Sequence, residues 1–132
     1  MDLDHLTVLL AERLSAIVPS GFRVAAADGM LWYSGGETGF PGQPGDHRAG
    51  RAGTYVRDNF GIYGESEDEN IVGIAVQALD ELQDYISEAI HTPWPGTSSQ
   101  PRPHGRIIDS HLNLWYSDND TAVLACDPIP LT

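Results

Sequence analysis

The sequence predicts an α+β fold: a two-layer sandwich in the order α-β-β-β-α-β-β, with an antiparallel sheet and two helices on one face. Three observations carry that expectation. Two stretches repeat apolar residues at helical spacing, the segments that follow them have β character broken by turn residues, and glycine- or proline-rich runs separate the pieces. All of this lies within 132 residues, a length that suits one domain with a real core.

Residues 2–18 are predicted as the first helix. Leu3, Leu6, Leu10, Leu14 and Ile17 recur at three- and four-residue steps and so share one face. Asp2 or Asp4 can cap its start, and Pro19 disfavours the helical conformation at Val18. "GFRVAAADGMLWYS" then predicts a hairpin about Asp28-Gly29, a pair suited to the positive φ of a two-residue turn. Residues 35–53 contain seven glycines and two prolines and are expected to form a long mobile loop. Residues 54–64 return to β character.

The second helix is the clearest element. Ser66 and Glu69 form a capping box, and Glu67 and Asp68 place negative charge at the positive end of the helix dipole. From Ile71 through Ala75, Ala78, Leu82 and Ile86 one apolar face runs to about His91. Residues 92–105 are expected to be an extended, exposed, proline-rich crossing. A second hairpin follows, with strands at 106–116 and 121–126 and its turn within 117–120. The tail, 127–132, carries two prolines and is expected to be irregular.

The word Leu-Trp-Tyr-Ser occurs twice, at 31–34 and 114–117, and takes two of the three tryptophans. An α-β-β unit used twice would explain it, as would similar demands on two neighbouring strands. Strand alternation directs Leu31, Tyr33, Leu112, Leu114 and Tyr116 inward. It directs Met30, Trp32, His111, Asn113 and Trp115 to the other face, with Asp109 beside them. If helices cover one face only, the outward set is an aromatic patch ringed by polar groups, a pattern typical of partner surfaces.

Charge narrows the partners. Seven basic residues, all Arg, face nineteen acids for a net charge of -12, which disfavours nucleic acid and anionic membranes. The expected partner is another protein with a basic surface, or a second copy of the chain. His47, Arg48, Arg51 and Arg57 form the one basic cluster evident in the sequence and are a candidate anion site. The lone Cys126 allows no internal disulfide, the acidic N-terminus does not read as a signal peptide, and no apolar run is long enough to span a membrane. A cytoplasmic protein is expected.

No HExxH, CxxC, GxSxG or phosphate-loop motif is present, so no catalytic residue, metal ligand or cofactor is expected. Cys126 in "AVLAC" reads as a buried, inert thiol. The least implausible polar cluster for an enzyme is His104, Asp109 and His111, should the two histidines meet across a bend.

The segments "DGMLWYS", "ALDELQDYISEA" and "LACDPIPL" make the chain similar to small, uncharacterised acidic proteins of GC-rich actinobacteria, a group with no assigned activity. Its element order, size and acidity also resemble the type III secretion chaperone-like fold. That resemblance implies a dimer that binds an extended client segment; the terminal helix usual there is replaced here by "DPIPLT". The expected function is a non-catalytic protein-binding, adaptor or chaperone-like module working through an open sheet face. The alternatives are a small enzyme and an immunity-type inhibitor of a basic toxin, whose encounter the negative charge would steer.

Overall fold

The computed structural model describes residues 2–36, 53–96 and 101–131. Helix α1 runs Leu3–Ser15, with the Asp2 carboxylate accepting from the Asp4 amide at 3.0 Å. Its buried residues Leu6, Leu10 and Leu14 are those the periodicity selects. Helix α2 runs Glu67–Ile90. The Ser66 hydroxyl accepts from the Glu69 amide and lies 3.1 Å from the Glu69 carboxylate, and His91 closes the helix in the left-handed conformation.

The strands are β1 (Phe22–Ala27), β2 (Met30–Gly35), β3 (Gly53–Tyr55), β4 (Arg102–Ile108), β5 (His111–Asp118), β6 (Thr121–Ala125) and β7 (Ile129–Pro130). They form two antiparallel sheets, β1-β2-β3 and β4-β5-β6, with β7 paired to the start of β5. The α+β class therefore stands, with more strands than the sequence reading gave. The expected strand 106–116 is in fact parts of β4 and β5, broken at Asp109–Ser110. Both turn residues have positive φ, 51° and 60°. Asp28-Gly29 and Asn119-Asp120 do the same, so all three hairpins close with two positive-φ residues. Serine rarely adopts that conformation, which is why Asp-Ser gave no turn signal.

Two other expectations change. The proline-rich segment 92–105 is not wholly an exposed crossing: 102–105 belong to β4, and Trp94 is buried with its ring edge-on to Tyr116, centroids 5.4 Å apart. The tail is irregular apart from Ile129–Pro130, which pair with β5, and it is packed onto the fold. Ile129 is fully buried beside Leu112, and Arg13 of α1 donates to the Asp127 and Pro128 carbonyls at 3.2 Å. Most of the expected loop 35–53 lies outside the described residues.

The first half of the chain is thus α-β-β-β and the second begins the same way before adding β7, with Leu-Trp-Tyr-Ser on the middle of the three strands and the hairpin turn before it both times. Cross-strand pairing makes the repeat plain. Arg23 faces Ser34 and Ala25 faces Trp32; Arg102 faces Ser117 and His104 faces Trp115. The equivalent of Arg23 is therefore Arg102, not the Arg106 that gapless alignment selects. Trp32 stands two pairs from its turn-closing pair Ala27↔Met30, and Trp115 four pairs from Ile108↔His111. An even difference leaves the inward and outward sets unchanged.

Both tyrosines of the repeat are buried against α2. Tyr33 donates to the Ala78 carbonyl at 3.2 Å and Tyr116 to the Leu79 carbonyl at 2.6 Å. Burial pushes both phenols well above their ordinary range, so both remain protonated donors. The core joins α1, α2 and the inner faces of both sheets through Leu31, Tyr33, Leu112, Leu114 and Tyr116. Among the described residues no helix is long and apolar enough to cross a membrane.

Candidate functional site

Trp32 and Trp115 stand on the outward faces of different sheets, each half-buried. Trp32 has small neighbours on both sides, Ala25 of β1 and Gly53 of β3. Its indole N–H donates to the Ala27 carbonyl at 3.1 Å, which fixes the ring against the hairpin. Met30 is half-buried in the same strand, opposite the exposed Tyr55.

The β4–β5 face is chemically richer. Trp115 stacks on the imidazole of His104, its cross-strand partner, with centroids 5.4 Å apart and planes inclined by 20°. The other edge of that imidazole is held: His104 Nε2 lies 2.7 Å from Ser117 Oγ. On β4 the exposed Arg102 and Arg106 stand two residues either side of His104 on the same face. Asn113 faces Arg106, and its amide donates to the His111 carbonyl at 3.1 Å. Among the described residues neither Arg102 nor Arg106 reaches a carboxylate at ion-pair distance, whereas Arg13 approaches Glu12 at 3.9 Å. The outward expectation for His111, Asn113 and Trp115 thus gains Arg102 and Arg106, which sequence reading missed, and His104, which it had placed only with Asp109 and His111. Their signal was alternation along β4, hidden for Arg102 and His104 by the surrounding prolines and for Arg106 by the unmarked turn at Asp109–Ser110.

The other candidates separate. His104 and His111 do not meet: His104 pairs with Trp115, four residues along β5 from His111, or about 14 Å at the usual strand rise. His111 Nδ1 instead lies 2.8 Å from the Asp109 carbonyl. Of the basic cluster, His47, Arg48 and Arg51 lie outside the described residues. Arg57 reaches the Asp28 carbonyl at 3.3 Å and packs over Gly29, where it braces the first hairpin turn. Among the described residues no three His, Cys, Asp or Glu side chains converge as metal ligands would.

Cys126 is buried, and desolvation, with Asp127 beside it, pushes its thiol up to about 11, so it is protonated at neutral pH. A shallow groove of about 510 Å³ lies between α1 and β1, lined by Val8, Ala11, Glu12, Ser15, Val24 and Ala26. The Ser15 hydroxyl there donates to the Val24 carbonyl at 2.9 Å.

Two described acids of α2, Asp80 and Glu81, have carboxyls raised above the ordinary range, and Glu81 is the one held in a polar cluster. It accepts from Gln77 at 2.9 Å and adjoins Thr54, which meets the Tyr33 hydroxyl at 2.6 Å. Partial burial, reinforced by Asp80 and Asp84, raises its carboxyl above the ordinary range. Tyr33 is fully enclosed, so this cluster joins α2 to β3 as a packed polar contact. No spacing in the sequence announces it, because its members come from three separate elements.

Comparison with protein-family models, with curated proteins and with solved structures finds no match.

Proposed function

We propose that this chain is a non-catalytic protein-binding module, adaptor- or chaperone-like and cytoplasmic, that docks a segment of another protein on the helix-free face of β4 and β5. The observation that carries this reading is the His104–Trp115 stack, flanked on the strand of His104 by Arg102 and Arg106, neither of which reaches a carboxylate among the described residues. A half-exposed aromatic pair already fixed in orientation loses little rotamer freedom when covered, and ring-and-guanidinium surfaces dominate many interfaces. The Trp32 face supports the same reading as a second, more apolar surface. The enzyme alternative loses its expected cluster with the separation of His104 from His111.

The test is site-specific photocross-linking in the native host. A photoreactive residue at Asn113 should give a discrete adduct that disappears in Trp115→Ala, with both variants melting as the parent does. The reading is overturned if position 113 gives no adduct, or the same adduct as a probe placed at Glu88 on the helical side.

A further inference from the structure

We infer that the occupant of the β4–β5 face is an acidic polypeptide segment in extended conformation, held by Arg102 and Arg106 on either side of the His104–Trp115 stack. This rests on the binding-module reading and names the chemistry of its partner.

The charge distribution is the first argument. The chain carries nineteen acids and seven arginines, so a cation on its surface has carboxylates in excess to pair with. Yet Arg102 and Arg106 project from one strand face with no carboxylate at ion-pair distance among the described residues. The two histidines of this hairpin, His104 and His111, add imidazole rings and no carboxylate to the same face. A guanidinium presents a planar fork that matches a carboxylate with two parallel hydrogen bonds.

Spacing is the second argument. Arg102 and Arg106 are four residues apart on a strand, about 14 Å. An extended peptide has the same rise, so two acidic side chains four residues apart can meet both forks at once. The residue midway between them then lies over the His104–Trp115 pair, where an apolar or aromatic side chain covers the stack. The recognised pattern is acid-x-apolar-x-acid.

Nucleic acid offers anions too, but its charge continues past both ends of the face. A long polyphosphate would run onto a chain of net charge -12, whereas a short acidic peptide ends where the cations end. This also revises the partner expected from net charge alone. The molecule as a whole attracts basic surfaces, while this face selects an acidic one.

The experiment is fluorescence anisotropy with a labelled, extended peptide carrying Glu-Gly-Phe-Gly-Glu, compared with its Lys-for-Glu counterpart and with a short oligothymidine. The expected result is binding of the acidic peptide that weakens with added salt. It should weaken by about ten-fold or more in Arg102→Glu/Arg106→Glu, and in the same direction in the milder Arg102→Gln/Arg106→Gln. Arg23→Glu, at the equivalent position on the other sheet, should leave it unchanged. All variants are first matched to the parent by thermal melting. No binding of the acidic peptide, tighter binding of the Lys peptide or of oligothymidine, or equal loss in Arg23→Glu overturns the inference. So does a self-associated parent that the double variant dissociates, since a second copy then holds the face. Failure here with the Trp115-dependent cross-link intact removes the acidic partner and leaves the binding module standing; loss of that cross-link removes both.

Discussion

At the scale of single residues, the buried polar side chains among the described residues are few, and each has a hydrogen-bond partner. Asn70, at the start of α2, accepts from the Gly61 and Tyr63 amides at 2.7 and 3.1 Å and donates to the Gly64 and Ser66 carbonyls at 2.9 and 2.8 Å. One side chain thereby ties the 61–66 loop to the helix. Asn70→Ala should cost about 3 kcal/mol in urea unfolding, because it strands several partly buried backbone groups. Tyr116→Phe should cost only about 1 kcal/mol, since the Leu79 carbonyl keeps its place in the helix ladder. Equal costs for the two would mean the loop groups find water once the amide is gone. Neither residue was legible beforehand. An asparagine four places after a helix cap carries no sign of its partners, and Tyr116 could be assigned to the core but not to a carbonyl.

At the scale of elements, periodicity located what it could. Both helices and the first hairpin follow from spacing and turn chemistry, and the inward set Leu31, Tyr33, Leu112, Leu114 and Tyr116 is buried as alternation requires. Proline concealed the rest. Pro101 and Pro103 disguised the start of β4, although Pro103 sits within the strand opposite Tyr116. Arg102 and His104 of the candidate face were hidden with it. Trp94 shows the same effect: its flanking prolines suggested exposure, yet its ring closes the core over Tyr116. Trp94→Ala should therefore destabilise the fold by about 3 kcal/mol, the scale of a large aromatic deletion in a core. A melting temperature unchanged by that substitution would return the tryptophan to the surface.

For the whole molecule, the relevant quantity is negative charge held close together. Asp80 and Glu81 have carboxyls raised above the ordinary range, by burial first and then by neighbouring carboxylates. A group whose folded pKa exceeds its unfolded value binds its proton more tightly in the folded state. Stability therefore falls as pH rises through the window between those two values, and recovers on acidification. Lowering the pH from neutral toward the ordinary carboxylate range should raise the melting temperature, and Glu81→Gln should remove part of that rise while keeping an acceptor for Gln77. A melting temperature that drops over this range, or a rise unaltered in the variant, would contradict it.

Between the turn and Leu-Trp-Tyr-Ser the β1–β2 and β4–β5 hairpins differ by two pairs, and they keep the same side chains facing in. Their geometry therefore has a reading frame of two. One residue added to each arm of the β4–β5 hairpin between the turn and Leu-Trp-Tyr-Ser would leave the strands opposite each other, yet it would turn Trp115 into the core and Leu114 and Tyr116 out of it. Two added to each arm would lengthen the ribbon and leave the face intact. Such arms can grow or shrink only in even steps, so a length change in this hairpin that looks small in the sequence is either silent or ruinous, according to its parity.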